Sequence, residues 1–208
     1  MAANTKKGTA ATVIISEMDR YLFGQGTHYE IYEKLGAHPM TLNGTKGVYF
    51  AVWAPHAVSV SLVGDFNNWD PESHPMTLLE TSGIYEIFVP GLKEGSLYKF
   101  AIATQTGKLL FKADPYARSA EFRPGTASVV ASDTSYKWSD SAWLQKRRTT
   151  NPREAAMSIY EVHLGSWRKK DREERNGFYT YREAAAELAE YVKDMGYTHV
   201  ELMGIAEH

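Results

Sequence analysis

The segment GDFNNWD, Gly64 to Asp70, sets two flat aromatic side chains, Phe66 and Trp69, around two amides, Asn67 and Asn68. An aromatic ring at a loop tip, within reach of water, is a surface on which the C–H face of a pyranose can lie flat. The same residues support a second reading. Phe66 and Trp69 can fold back and plug the end of a β-sandwich. The asparagines then only hold a turn, since Asn tolerates left-handed backbone and bonds its own chain. Aromatics are abundant throughout: 13 Tyr, 8 Phe and 5 Trp make up 12% of the 208 residues, so most must be core.

The elements that position this loop are strands. GVYFAVWAP puts Val48, Phe50 and Val52 on one face and Tyr49, Ala51 and Trp53 on the other. AVSVSLVGDF alternates Val58, Val60 and Leu62 with Ser59 and Ser61 and runs straight into the loop. GIYEIFVPGL is a strand stopped by Pro90-Gly91, GSLYKFAIAT another, and GKLLFKADPYA its hairpin partner. Five short strands separated by turn residues describe a β-sandwich. Before them, THYEIYEKLG predicts a helix, with Thr27 and Glu30 in capping-box spacing and Gly36 as its stop.

From about residue 135 the pattern changes. SYKWSDSAWLQKRRTTNPREA is polar and basic without alternation and reads as a linker, with Lys146, Arg147 and Arg148 as a solvated face. AMSIYEVHLGSW reads as a strand with a turn at Gly165-Ser166. TYREAAAELAEYVKDMG is a helix, capped by Thr180 and Glu183 and closed at Gly196, with Tyr181, Ala184, Leu188, Val192 and Met195 as its apolar stripe. YTHVELMGI is a second strand, and strand–helix–strand predicts a parallel pair. One such unit is not a domain, so the sequence reads as cut off inside a second one. The expected boundaries are 1–38 for a tail and helical segment, 39–134 for the sandwich, 135–156 for the linker and 157–208 for the strand–helix–strand unit.

Composition narrows the partners. The formal charge is −2, from 23 basic and 25 acidic residues, which argues for neither nucleic acid nor a membrane surface. No apolar run approaches the roughly 20 residues of a membrane span. There is no cysteine, so no disulfide or Cys-type zinc site. The N-terminal MAANTKKGTAATVIISEMD has neither a long apolar core nor a cleavage site and reads as a tail, which makes the cytoplasm the expected location.

Together these segments resemble a known family. YFAVWAPHAVSVSLVGDFNNWD is similar to the opening of the glycogen-binding, immunoglobulin-like module of α-glucan branching enzymes, and FKADPYA to the exit of that module. SIYEVHLGSWRK and GYTHVELMGIAEH resemble the first and second strands of the barrel that follows. The resemblance runs from about Tyr21 to His208. It implies a mainly β chain: an immunoglobulin-like sandwich of E-set type, then the truncated start of a (β/α)8 barrel. It also implies an activity for the parent protein, cleavage of α-1,4 chains and their transfer to 6-hydroxyls as α-1,6 branches, with retention of configuration and no cofactor.

Retaining transfer needs two carboxyl groups roughly 5 Å apart. In this family they lie on later barrel strands, so none carries over and the chain by itself is expected to be inactive. Glu161, Glu201 and Glu207, with His163 and His208, are local groups that read as structural. For the module the resemblance implies α-glucan as partner. Trp69 would stack under a glucose, Lys99 and the amides of Asn67 and Asn68 would bond its hydroxyls, and Phe111 would stand where the family has a second Trp. The alternatives are a non-catalytic glycogen-binding protein and a debranching hydrolase of similar plan. The apolar strands of the second part predict self-association through Ile159, Val162, Val200 and Leu202.

Overall fold

A computed structural model describes residues 14–132, 137–170 and 177–205. They fall into two compact units that divide between residues 135 and 136.

The first unit opens with helix α1 (Glu17–Gly24), started by a capping box. Ser16 Oγ accepts from the Asp19 N–H at 3.1 Å, and Asp19 Oδ2 accepts from the Ser16 N–H at 2.7 Å. The helix expected over Thr27–Gly36 is not formed. Thr27 closes α1 instead of starting a new helix: its N–H and hydroxyl both donate to the Leu22 carbonyl. Only a 3-10 turn, Ile31–Glu33, follows. The strands are β1 (Gly36–Leu42), β2 (Thr45–Trp53), β3 (Ala57–Gly64), β4 (Thr77–Leu78), β5 (Ile84–Pro90), β6 (Leu97–Thr104), β7 (Leu109–Lys112), β8 (Ser119–Ala120) and β9 (Ser128–Val129). One antiparallel sheet has the order β1-β2-β5-β4. The other runs β3-β6-β9-β8, with β7 also paired to β6.

The two sheets form a sandwich. Val48, Phe50 and Val52 of β2 meet Val60, Leu62, Tyr98 and Phe100 between them, and the Phe50 and Tyr98 rings lie 4.9 Å apart at 66°. The outer face of the first sheet is buried too. Ile15, Ile31 and Leu35, from the N-terminal segment, cover Tyr49, Ala51 and Ile84. That second layer explains why β2 is apolar on both faces rather than alternating with polar residues. Ile14 and Ile15 are thus part of the fold. Residues 16–19, from the same stretch read as a tail, start α1, and residues 1–13 lie outside the described residues. Val58, assigned to the core face of β3, is exposed, because the register shifts between Ala57 and Ser59.

In the second unit the segment read as a linker carries a helix, α2 (Ser141–Thr149). Ala, Leu, Gln, Lys and Arg are good helix formers, and no side chain of α2 is buried. Strand β10 (Ile159–Val162) is followed by a helical turn, α3 (Leu164–Trp167), where a plain turn was expected. Helix α4 (Tyr181–Asp194) has the expected Thr180–Glu183 capping box. Of its apolar stripe Ala184, Leu188 and Val192 are buried, while Tyr181 and Met195 are exposed. Strand β11 (His199–Leu202) pairs parallel to β10, as the strand–helix–strand pattern predicts.

Candidate functional site

The GDFNNWD loop leaves the end of β3 at Gly64, where a Cβ would run into the Leu97 carbonyl and the Phe66 ring. A 3-10 turn, Asp65–Asn67, follows. Asn68 and Trp69 then both adopt left-handed backbone, φ +54° and +60°. The Trp69 N–H donates back to the Gly64 carbonyl at 2.9 Å, and the Asp70 N–H to the Asn67 carbonyl at 3.1 Å. The loop tip is therefore folded onto the strand end.

The two aromatics of the loop do different jobs. Phe66 packs against the sandwich core and stands edge-on to the His74 ring at 5.4 Å, so it is the plug. Trp69 is 37% exposed at the tip. Asn68 is exposed beside it. Asn67 is engaged inside the loop: its Oδ1 accepts from the Gly64 N–H at 2.9 Å, and its Nδ2 donates to the Leu62 carbonyl at 3.0 Å and to Ser73 Oγ at 2.8 Å.

Lys99 and Phe111 lie on the outer face of the second sheet. Lys99 pairs with Val63 across β3, one position from Gly64, which pairs with Tyr98. The Lys99 ammonium donates to Thr126 Oγ1 at 2.6 Å. Phe111 stands opposite Ala101 on β7 and is 47% exposed. Lys99 and Phe111 are thus diagonal neighbours on one face, and the backbone of Trp69 is tethered at the strand end beside them.

A buried polar knot fixes the chain leaving β7. The Tyr98 hydroxyl donates to Asp114 Oδ2 at 2.6 Å, the Tyr116 N–H to Asp114 Oδ1 at 2.8 Å, and the Asp114 N–H to Ser128 Oγ at 2.9 Å. Burial pushes the Asp114 carboxyl above its ordinary range, against the opposing pull of the Tyr98 and Tyr116 hydrogen bonds. Burial, with Asp114 beside it, pushes the Tyr98 hydroxyl far up as well.

Ser73, His74 and Thr126 are the polar residues at the site that sequence reasoning missed. Ser73 and His74 lie just past the loop motif, whereas Thr126 has no local signal and meets Lys99 from 27 residues away.

In the second unit Glu161 and Glu201 occupy paired positions on β10 and β11, on the same face as Ile159 and His199, and both are exposed. His163 Nδ1 lies 3.0 Å from Ser166 Oγ, a local contact. Glu207 and His208 lie outside the described residues. Among the described residues no three His, Asp or Glu side chains gather as a metal site, and no helix is long and apolar enough to cross a membrane.

Residues 34–117 match the family model of carbohydrate-binding module 48, the isoamylase N-terminal domain. Over 196 residues, 94% of the chain, the sequence is 53% identical to the 1,4-alpha-glucan branching enzyme GlgB of Butyrivibrio fibrisolvens, of which it spans 31%. It is 53% identical, over 92% of its length, to the enzyme of that name from Protochlamydia amoebophila, spanning 26% of it. The chain thus spans less than a third of the length of these relatives. The maltotriose complex of a PulA variant from Klebsiella pneumoniae superposes with a TM-score of 0.57 at 26% identity, covering 82% of this chain and 20% of that one.

Proposed function

We propose, from a chain akin over more than nine tenths of its length to 1,4-alpha-glucan branching enzymes, that the sandwich is a glucan-binding module. In this reading the second unit opens the catalytic barrel of a protein that cuts α-1,4 chains and re-attaches them as α-1,6 branches. The identity of 53% to branching enzymes favours this over a debranching hydrolase or a free-standing binding protein.

The observation that carries the binding reading is Trp69, a large aromatic held at a loop tip in left-handed backbone and 37% exposed. A bulky residue in that region costs energy and persists only where its surroundings enforce it. Stacking under a glucose ring is worth about 1 kcal/mol, by analogy with aromatic pairs. Lys99 donates to one hydroxyl group, Asn68 offers its exposed amide to another, and Phe111 extends the apolar floor. Asn67 drops out as a direct ligand, because its amide is occupied within the loop.

Native affinity electrophoresis in gels containing glycogen tests the reading. Trp69→Ala, with its circular dichroism unchanged, is expected to lose most of the retardation. Retardation equal to that of the parent chain would show that Trp69 is no platform.

A further inference from the structure

Tyr49, Ala51 and Trp53 share the outer face of the first sheet, but only two of them are covered. The N-terminal segment buries Tyr49 and Ala51, as it buries Ile84, the residue paired with Trp53 on β5. Trp53, at the end of β2, is 51% exposed. Phe23 of α1 stands edge-on to its ring at 5.6 Å and 82°. That contact fixes the plane of the indole and leaves the residue half in water.

Two charged side chains flank this ring. Arg20 precedes Phe23 by one helical turn, on the same side of α1. Its guanidinium pairs with Glu80 Oε2 at 3.2 Å. Glu80 lies in the turn that leads into β5, and the Leu79 N–H donates to the carbonyl of Ile84, the partner of Trp53, at 2.8 Å. Glu80 itself has left-handed backbone, φ +51°, which a residue other than glycine adopts only under constraint. The constraint is visible: Ser82 Oγ donates to the Leu79 carbonyl at 2.7 Å and closes the turn. The turn thus presents a carboxylate, its side chain 73% exposed, at the strand end that carries Trp53.

A flat apolar ring edged by one donor and one acceptor matches a pyranose. Its C–H face is apolar, and its hydroxyls both donate and accept. An apolar protein surface laid on the same spot would bury the Arg20–Glu80 pair at the cost of its desolvation. The place is also separate from the Trp69 loop. Trp53 ends β2 in the first sheet, and Trp69 follows β3 in the second. Between them the chain turns at Ala54, whose carbonyl accepts from the Ala57 N–H at 3.0 Å, and runs the eight residues of β3. Those eight residues span roughly 25 Å.

We propose that Trp53, Arg20 and Glu80 form a second glucan-binding surface, with Phe23 as its positioning residue, so that one sandwich holds two glucan chains. This rests on the reading of the sandwich as a glucan-binding module.

The test is titration of the 208-residue chain with maltoheptaose, followed by the indole N–H signals of its five tryptophans in nuclear magnetic resonance. Trp53→Phe and Trp69→Phe assign the two signals that matter. The Trp53 signal is expected to shift to saturation, with a midpoint of its own, in the parent chain and equally in Trp69→Ala. Glu80→Ala removes only an exposed ion pair and should leave the fold intact. It is expected to weaken the Trp53 titration about fivefold, the factor for one hydrogen bond, and to leave the Trp69 titration unchanged. A Trp53 signal that stays still while the Trp69 signal saturates overturns the proposal. So does one that moves with protein concentration instead of maltoheptaose, since the face then belongs to a second copy of the chain. Equal Trp53 midpoints in the parent and Glu80→Ala overturn it as well.

Failure of the Trp69 reading is distinguishable. If the Trp69 signal stays still and the Trp53 signal saturates, the loop is no platform and the surface at Trp53 stands. If neither signal moves, both fall.

Discussion

Lys99 and Phe111 share one sheet face, and Asp114, three residues past Phe111, helps hold that face in place through Tyr98, the immediate neighbour of Lys99. Deleting the carboxyl in Asp114→Ala leaves the buried Tyr98 hydroxyl without its acceptor, which costs about 1–3 kcal/mol. Thermal unfolding should show that loss as a drop in Tm of several degrees. The pH dependence has a definite sign. A carboxyl pushed up by burial binds its proton more tightly folded than unfolded. The native state therefore loses stability as pH rises from the unfolded carboxylate value of about 3.9 through the folded one. Asp114→Asn does not titrate, so parent-minus-variant stability should become less favourable to the parent across that rise. A gap constant from about pH 4 to about pH 7 would contradict it. At this scale the sequence was partly legible. Asp114 was read only as part of a strand-exit motif, and its partner Ser128 is 14 residues away on another strand, where no local spacing reveals it.

Among elements, the sandwich strands were the easiest to foresee, because period-2 alternation directly reports a two-faced sheet. The helix was harder to place. Thr27 and Glu30 have capping spacing, yet the helix lies earlier and is capped by Ser16 and Asp19, with Asp in place of the usual Glu or Gln. Tertiary contacts decide the matter: Asp19 also receives His28 Nε2 at 2.9 Å and Lys34 Nζ at 3.2 Å, and Lys34 Nζ donates to the Ile14 carbonyl at 2.9 Å. Burial opposes the charge on Asp19. The hydrogen bonds from His28, Ser16 and Lys34 outweigh it and hold the carboxyl well below its ordinary range. A depressed carboxyl stabilises the fold at pH above its unfolded value of about 3.9, and that contribution is lost as pH falls through the folded value. Asp19→Asn should therefore lower Tm at neutral pH, by an amount equivalent to about 1 kcal/mol or more for the cap alone. The difference from the parent should shrink towards pH 3. A difference that stays the same in acid would mean that the cluster does not act through its charge.

For the molecule as a whole, the second unit poses the question of what covers its sheet. Two parallel strands with one helix leave much apolar surface in water, where such pairs are ordinarily buried on both faces. The surface expected to drive self-association was Ile159, Val162, Val200 and Leu202 taken together, and the structure separates these residues. Val162 is buried against Leu188 and Val192 of α4, so it is unavailable. Val200 and Leu202 pair with Tyr160 and Val162 on that same side, but α4 sits over β10 and leaves them 39% and 40% exposed. Ile159, 52% exposed, points to the opposite face with Glu161, His199 and Glu201. That face has two carboxylates in adjacent register and repels a second copy of itself, whereas the Val200–Leu202 side has no such charge between them. Sedimentation velocity on the 208-residue chain should therefore show concentration-dependent association. Val200→Lys with Leu202→Lys should abolish it, by adding charge to the contact. Ile159→Lys should leave it in place. A single monomer boundary at every concentration, or equal effects of the two changes, would remove this surface as the site of association.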